Sequence, residues 1–494
     1  MPCTTLLVGK KASYDGSTLI ARNEDSPAGM YSSKKLIVVD PKDQPRKYKS
    51  KISQVEIDLP DNPLSYTSCP NADPKMGTWA AAGINSANVS MTATETITTN
   101  PRVFGADPLI EIDWANPMKK KKKGAPNVGI GEEDLVVITL PYVKSAKEGA
   151  KRLGMLLEKY GTYECNGIAF SDKDEIWWLE TIGGHNWIAK RVKDEEYVIM
   201  PNQFGLDNFD FNDAYGAQKE NMCSKGLKEL TEKFYLDLNL DQEFNPRLAY
   251  GSHSDSDHVY NTPRAWYMAR YFNPKTYKWD GPMADYMPES DDIPWSLVPE
   301  HKITVEDVKY ILSSHYQGTP YDPYSKDEHN PRRGIYRPIG VNRTNFLTIS
   351  QIRGYVPAEI SSIEWICFGS NVFNAIVPIY ANTTSIPSYL AKTSEKVTID
   401  NFYWASRLIG ALADPIYRFA IPDIERYQDM VAHKSRVILN KFDKEMSKKH
   451  DYSLISRANE DLVAMVQAAT DKAVSRALWL ASNYMKNAYS RSDQ

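Results

Sequence analysis

The chain has 494 residues, room for about three domains at the usual domain size. Lys and Arg number 59 against 63 Asp and Glu, a net charge of −4, with 25% charged and 42% hydrophobic residues. Those fractions belong to a globular protein and exclude disordered and collagen-like classes. The near-neutral balance argues against nucleic acid as the main partner, because phosphate binding needs a basic surface. No apolar run reaches the ~18–20 residues of a membrane span, and the first residues lack the basic and apolar regions of a signal peptide. The expected compartment is therefore the cytoplasm, with no membrane partner. Tyr (30), Trp (11) and Phe (14) are plentiful enough for large cores and ligand grooves.

In chain order, residues 4–8 and 17–21 read as two strands joined by a turn at Tyr14-Asp15-Gly16. Strand-like runs follow at 36–39, 78–84 and 89–93. Ser145 and Glu148 form a capping-box pattern. Leu153, Leu156, Leu157 and Tyr160 then share a helical face, which Gly161 ends. Further strands are expected at 167–170, 176–180, 187–189 and 197–200, then a helix over 304–313 capped by Thr304. Strands follow near 346–349, 363–367 and 376–380. Beyond about residue 395 helical periodicity takes over. One helix carries Phe402, Ala405, Ile409 and Leu412 and stops at Asp414-Pro415. A second starts near Pro422 and runs to Lys448-Lys449-His450; a third carries Leu462, Met465, Ala469, Ala473 and Leu480. The pattern predicts a mixed α/β body followed by a helical C-terminal region. The lysine run at 119–123, flanked by Pro117 and Gly124, has no interleaved aromatics and reads as a solvated loop.

Five cysteines, Cys3, Cys69, Cys165, Cys223 and Cys367, stand at irregular spacings that predict neither a disulfide framework nor a zinc site. Gly129-Ile130-Gly131 is too short for a dinucleotide loop, and no GxSxG, Walker or HExxH motif occurs. His253-Ser254-Asp255-Ser256-Asp257-His258 is the most metal-like cluster. Its spacing matches no standard ligand pattern, and the expected reading is a polar loop that shapes a pocket.

Cys3 is a sharper observation. Placed two residues from the start, it would carry a thiol and a free α-amine once Met1 and Pro2 were removed. The amine, with an ordinary pKa of about 7.7–8.0, could take the thiol proton and later protonate the leaving group. Across the predicted hairpin stands Ala21-Arg22-Asn23-Glu24-Asp25. An arginine there could hold a thiolate, and a carboxylate could orient the α-ammonium.

With these residues in view, the chain resembles the bacterial dipeptidase A-type cysteine dipeptidases of the N-terminal-nucleophile (Ntn) hydrolase superfamily. The shared stretches are Cys3-Thr4-Thr5, Val8-Gly9-Lys10, Asp15-Gly16-Ser17, Ala21 to Asp25, Gly83-Ile84-Asn85 and Thr92 to Thr96. They continue with Gly131-Glu132-Glu133-Asp134-Leu135, Leu140-Pro141-Tyr142, Ile176-Trp177-Trp178-Leu179-Glu180 and Gly183-Gly184-His185. Pro201-Asn202-Gln203 and Tyr260-Asn261-Thr262-Pro263-Arg264 complete them, so the likeness covers essentially the whole chain. It implies an α+β fold, the four-layer αββα sandwich, here with the helical C-terminal region. The expected division is a 1–2 propeptide removed by processing, a 3–395 catalytic domain and a 396–494 helical region.

The resemblance further implies hydrolysis of dipeptides to amino acids through a thioester on Cys3. Arg22 and Asp25 match the positions that flank the nucleophile, Asn202 the oxyanion donor, and Arg264 the arginine that completes such sites. Thr94-Glu95-Thr96 stands where related amidases place a second oxyanion asparagine, which leaves that donor unassigned. Glu180 and His185 match the pattern without a catalytic step. No metal or other cofactor is implied, and the partners are small peptides and possible further copies of the chain. Substrate termini are expected at the acidic loop 255–257 and at Arg264. Two alternatives stay open: an amidase acting on N-acyl amino acids or bile-salt-like amides, and a metallopeptidase built on His253 and His258.

Overall fold

The computed structural model describes residues 3–27, 30–93, 95–112, 129–240 and 243–486. The expectations for Met1-Pro2, Thr94 and the lysine run at 119–123 lie outside these residues.

Two seven-stranded sheets, antiparallel throughout, form the body. The first runs, edge to edge, through Ser296–Leu297, Tyr197–Met200, Cys3–Val8, Thr18–Asp25, Thr344–Ile352, Ser362–Phe368 and Val377–Tyr380. The second runs through Asn221–Cys223, Asn186–Val192, Ile176–Ile182, Asn166–Ser171, Ser90–Thr92 and Ala82–Ile84, with Glu95–Thr96 also paired to Asn166–Ser171. The expected hairpin is present, and its register sets Cys3 opposite Glu24 and Thr5 opposite Arg22.

The period-two alternation of a strand sorts the side chains by face. Leu7, Ile20, Val198 and Met200 of the first sheet pack in one core with Ala169, Trp178, Ile182 and Ile188 of the second. Their neighbours Leu6, Val8, Leu19 and Ala21 turn the other way, onto Trp266, Met268 and Phe272 of the helix Thr262–Phe272 and Val305, Val308 and Ile311 of Val305–Leu312. Ile168, Phe170, Trp177 and Leu179 pack against Leu153 and Leu157 of the helix Ala146–Tyr160. Each such burial contributes about 1.5–3 kcal/mol, so exchanging the two faces of a strand would be prohibitive.

Local chemistry explains where the elements start and stop. Ser145 Oγ accepts from Glu148 N at 3.2 Å, but the Glu148 carboxylate reaches Lys144 N rather than closing a box on Ser145. Thr304 and Asp307 do form a reciprocal box. The expected strand over 78–84 shrinks to Ala82–Ile84, because Trp79 and Ala81 take positive φ (48° and 59°), which breaks extended pairing.

The C-terminal helices are Phe402–Ala413, Tyr417–Lys449 and Leu454–Asn483. The second begins before Pro422 and continues through it. The proline forfeits one hydrogen bond, to the Arg418 carbonyl, while buried Ala420, Ile424, Tyr427 and Val431 hold the helix across it. These helices share a core with Phe346, Ile366, Phe368, Val377 and Ile379 of the first sheet. Among the described residues, no helix is long and apolar enough to cross a membrane.

Candidate active site

Cys3 opens the first strand and is wholly buried. Strand alternation sends its thiol toward the second sheet, on the side of Thr5 and Leu7. Arg22 and Glu24 of the neighbouring strand face the same side. Arg22 Nη2 donates to Cys3 Sγ at 3.0 Å and to Glu132 Oε1 at 2.6 Å, and Nη1 lies 3.6 Å from Glu24 Oε2. Lys34 Nζ, also buried, pairs with Glu24 Oε1 at 2.8 Å. Glu95 Oε2 accepts from Thr5 Oγ1 at 2.7 Å. Burial pushes the Cys3 thiol up to about 12; Arg22 pulls it down, and Glu95 and Glu132 add to the rise. The thiol is therefore protonated at neutral pH in this arrangement, and a base must take its proton before it can attack.

The backbone of Cys3 is held from the opposite face. Arg264 Nη1 donates to the Cys3 carbonyl and, at 2.7 Å, to Thr4 Oγ1. Its Nη2 donates to Asn202 Oδ1 at 2.9 Å and to Asn261 Oδ1 at 2.8 Å, and its Nε to the Tyr260 carbonyl at 2.7 Å. All five N–H groups of this guanidinium thus have acceptors within the protein, so Arg264 grips the nucleophile's backbone rather than a substrate carboxylate. Asn202 Oδ1 also accepts from Cys3 N at 3.1 Å, while Nδ2 donates to the Thr96 carbonyl at 2.8 Å. Two donors on one side and a carbonyl on the other fix the orientation of this amide. Asp25 faces away from the thiol, where Arg337 Nη2 and Thr344 Oγ1 hold it. The four residues Arg22 to Asp25 therefore divide alternately: Arg22 and Glu24 toward the sulfur, Asn23 and Asp25 toward the helical side.

All five residues expected at the site thus gather at the head of the first strand, four of them in direct contact with Cys3 or with one another. Glu24, Lys34, Glu95 and Glu132 join the thiol side without having been singled out as site residues. Glu132 lay in a noted motif, but only its convergence on Arg22, 110 positions earlier, gives it a task.

Glu180 and His185 have structural tasks. The Glu180 carboxylate accepts from Gly205 N, Leu206 N and Trp178 Nε1, and burial lifts it to about 7. His185 bonds Asp107 through Nδ1 at 3.1 Å.

The metal-like loop is explained by helix capping. Ser254 and Asp257 make a reciprocal box at the start of Asp255–Tyr260, and Asp257 also takes Ser252 Oγ and Asn261 Nδ2. His258 Nε2 meets Asp291 Oδ2 at 2.9 Å, and His253 Nδ1 lies 3.8 Å from the same oxygen. Among the described residues, no group of three or more His, Cys, Asp or Glu side chains is placed to hold a metal ion.

A thiol at a strand head, gripped through its backbone and faced by a guanidinium, is equipment for nucleophilic hydrolysis. A family model describing peptidase family C69 matches residues 2–430, and the chain belongs to that family. It is 58% identical over 431 residues to a protein of Bifidobacterium longum (strain NCC 2705) named Dipeptidase, covering 87% of this chain and 80% of that one. It is 49% identical over 494 residues, 100% of both chains, to a protein of Streptococcus pyogenes serotype M3 (strain SSI-1) named Probable dipeptidase A. A protein of Salmonella dublin named Probable dipeptidase is 36% identical over 380 residues, 76% of this chain and 80% of its own.

Proposed function

We propose that this peptidase is a cysteine dipeptidase, active once Cys3 is its N-terminal residue. The observation that carries the reading is the Arg22–Cys3 contact of 3.0 Å at the head of the first strand, in a chain 58% identical to a relative named Dipeptidase. Loss of Met1-Pro2 frees the Cys3 α-amine. That amine takes the thiol proton, directly or through a water, and the thiolate attacks the carbonyl of the dipeptide. Asn202 and a backbone N–H stabilise the tetrahedral oxyanion. The C–N bond breaks as the α-ammonium returns its proton to the departing amino acid. Water then attacks the thioester, releasing the second amino acid and restoring the thiol. Arg22 holds the sulfur, Arg264 fixes the Cys3 carbonyl, and Asp25 with Arg337 braces the strand end from behind.

The two sheets with helices against their outer faces support the αββα arrangement of the Ntn hydrolases for the proposed 3–395 catalytic domain, with 396–494 as a helical addition. The test is a hydrolysis screen of unblocked dipeptides against N-acyl amino acids, using wild type and Cys3→Ala. Turnover of dipeptides that disappears in the variant is expected. Turnover of acyl amides alone would transfer the reading to an amidase.

A further inference from the structure

On the thiol side of Cys3 the buried carboxylates outnumber the cations bonded to them. Arg22 and Lys34 are matched by Glu132 and Glu24. Glu95 is left over. Its Oε2 accepts from the Thr5 hydroxyl at 2.7 Å, and its Oε1 is buried without a hydrogen-bond partner among the described residues, as are Glu132 Oε2 and Glu24 Oε2. Buried acceptors without donors are rare in folded proteins, and three of them beside one nucleophile point to a donor that arrives from outside. The other cations facing Glu95 are Arg264 and Arg337. Every N–H of Arg264 already has an acceptor; Arg337 gives its Nη groups to the Pro338 carbonyl and Asp25, and neither its Nε nor that of Arg22, both buried without an acceptor among the described residues, bonds Glu95. In this arrangement Cys3 N donates to Asn202 Oδ1 rather than to either carboxylate.

Peptide geometry says what the donor is. In a dipeptide the α-nitrogen sits roughly 2.5 Å from the carbonyl carbon that the thiolate attacks. A substrate placed for attack by Cys3 must therefore bring its ammonium into the groups around Sγ. We propose that Glu95, aided by Glu132, is the seat of the substrate's free α-ammonium group and makes the enzyme select peptides with an unblocked amino terminus. This rests on the dipeptidase reading above. Burial lifts Glu95 to about 8 even though Arg264, Thr5, Arg22 and Arg337 pull it down, so a proton holds the empty seat at neutral pH and the ammonium must displace it.

The experiment compares L-alanyl-L-alanine with propionyl-L-alanine, its counterpart lacking the amino group, on the processed enzyme and on Glu95→Gln. The glutamine keeps an acceptor for Thr5 and removes the charge. Wild type is expected to favour alanyl-alanine by roughly 100-fold in kcat/KM. The variant should lose most of that preference through KM, with propionyl-alanine turnover affected far less than alanyl-alanine turnover and alkylation of Cys3 no slower than in wild type, since Glu95 raises the thiol pKa. In wild type alone, KM for alanyl-alanine should fall as pH rises toward 8 while that for propionyl-alanine stays flat, which tests the proposal even should the variant fail to fold. Equal loss on both substrates would place Glu95 in the chemistry instead of in recognition and overturn the proposal. So would a wild type that cleaves both alike, which leaves the cysteine hydrolase standing. A wild type inert to every dipeptide would remove the dipeptidase reading and this inference with it.

Discussion

Arg22 holds the Cys3 sulfur at 3.0 Å with the same nitrogen that it gives to Glu132. One guanidinium thus faces a neutral thiol and a carboxylate in a space without exposed surface. Its attraction lowers the thiol pKa, while Glu132 keeps it oriented.

Arg22→Lys should retain the charge and lose this fork. A lysine has no planar pair of N–H groups with which to span sulfur and carboxylate, so turnover should fall roughly tenfold or more. The pH at which Cys3 becomes reactive to iodoacetamide should rise, because a less well placed cation favours the thiolate less. Alkylation rates measured against pH in both proteins decide it. Coincident profiles would show that Arg22 does not act on the sulfur.

Asn202 has two tasks that two substitutions can separate. Its Oδ1 accepts from Cys3 N at 3.1 Å, and its Nδ2 is the group assigned to the oxyanion. Asn202→Ala removes both and should lower kcat by about 10²–10³, the effect of one oxyanion donor. Asn202→Asp keeps an acceptor for Cys3 N and removes the donor. If the donor matters, the two variants should be similarly slow in single-turnover assays. Recovery of wild-type kcat in the aspartate variant would make Asn202 a positioning residue only.

Glu364, in the strand Ser362–Phe368, is wholly buried, and burial lifts it to about 7 against the pull of the Thr67 hydroxyl. A carboxyl whose pKa is higher folded than unfolded binds its proton more tightly in the folded state. Its contribution is therefore favourable at low pH and is lost as pH rises from about 4.5 through about 7. Glu364→Gln, which cannot ionise, should stabilise the protein by about 3 kcal/mol at pH 8, with the gain disappearing toward pH 4.5. Urea unfolding at both ends of that range measures it. An equal difference at the two pH values would mean that Glu364 ionises as freely folded as unfolded.

Much of this architecture is legible in the sequence where a local rule governs it. The hairpin from Cys3 to Asp25 follows from β-rich runs and a turn, and its register places Arg22 within reach of the thiol. The alternation of Arg22, Asn23, Glu24 and Asp25 was equally open to reading, yet Asp25 was expected beside the Cys3 amine and meets Arg337. Glu95 and Glu132 are different. They come from separate segments that only the pairing and packing of the second sheet bring to Thr5 and Arg22, and no spacing rule connects positions 90 and 110 apart. Trp79 and Ala81 look like strand residues by composition, but they take positive φ, outside the range of extended pairing. The His253–His258 cluster shows the converse: metal-like residue types, expected to form a polar loop, in a row that local capping occupies.

That cluster also gives the sharpest test between the two chemistries. His253 and His258 both turn to Asp291, and the Asp257 carboxylate is filled by Ser252, Ser254 and Asn261. A metal ion bound here would have to break the capping box, which typically contributes about 0.5–2 kcal/mol, and would still lack a standard ligand set. Prolonged dialysis against a strong chelator should therefore leave dipeptide hydrolysis unchanged, whereas one equivalent of iodoacetamide on Cys3 should abolish it. Cys69, Cys165, Cys223 and Cys367 are buried in the cores, and replacing each by alanine should leave kcat within a few-fold of wild type. Cys3→Ala should have no measurable turnover, since nothing else can form the thioester. Activity lost on dialysis and restored by zinc or manganese, with stoichiometric metal in the untreated protein, would instead place the chemistry on the His253–His258 loop and leave Cys3 a buried structural thiol.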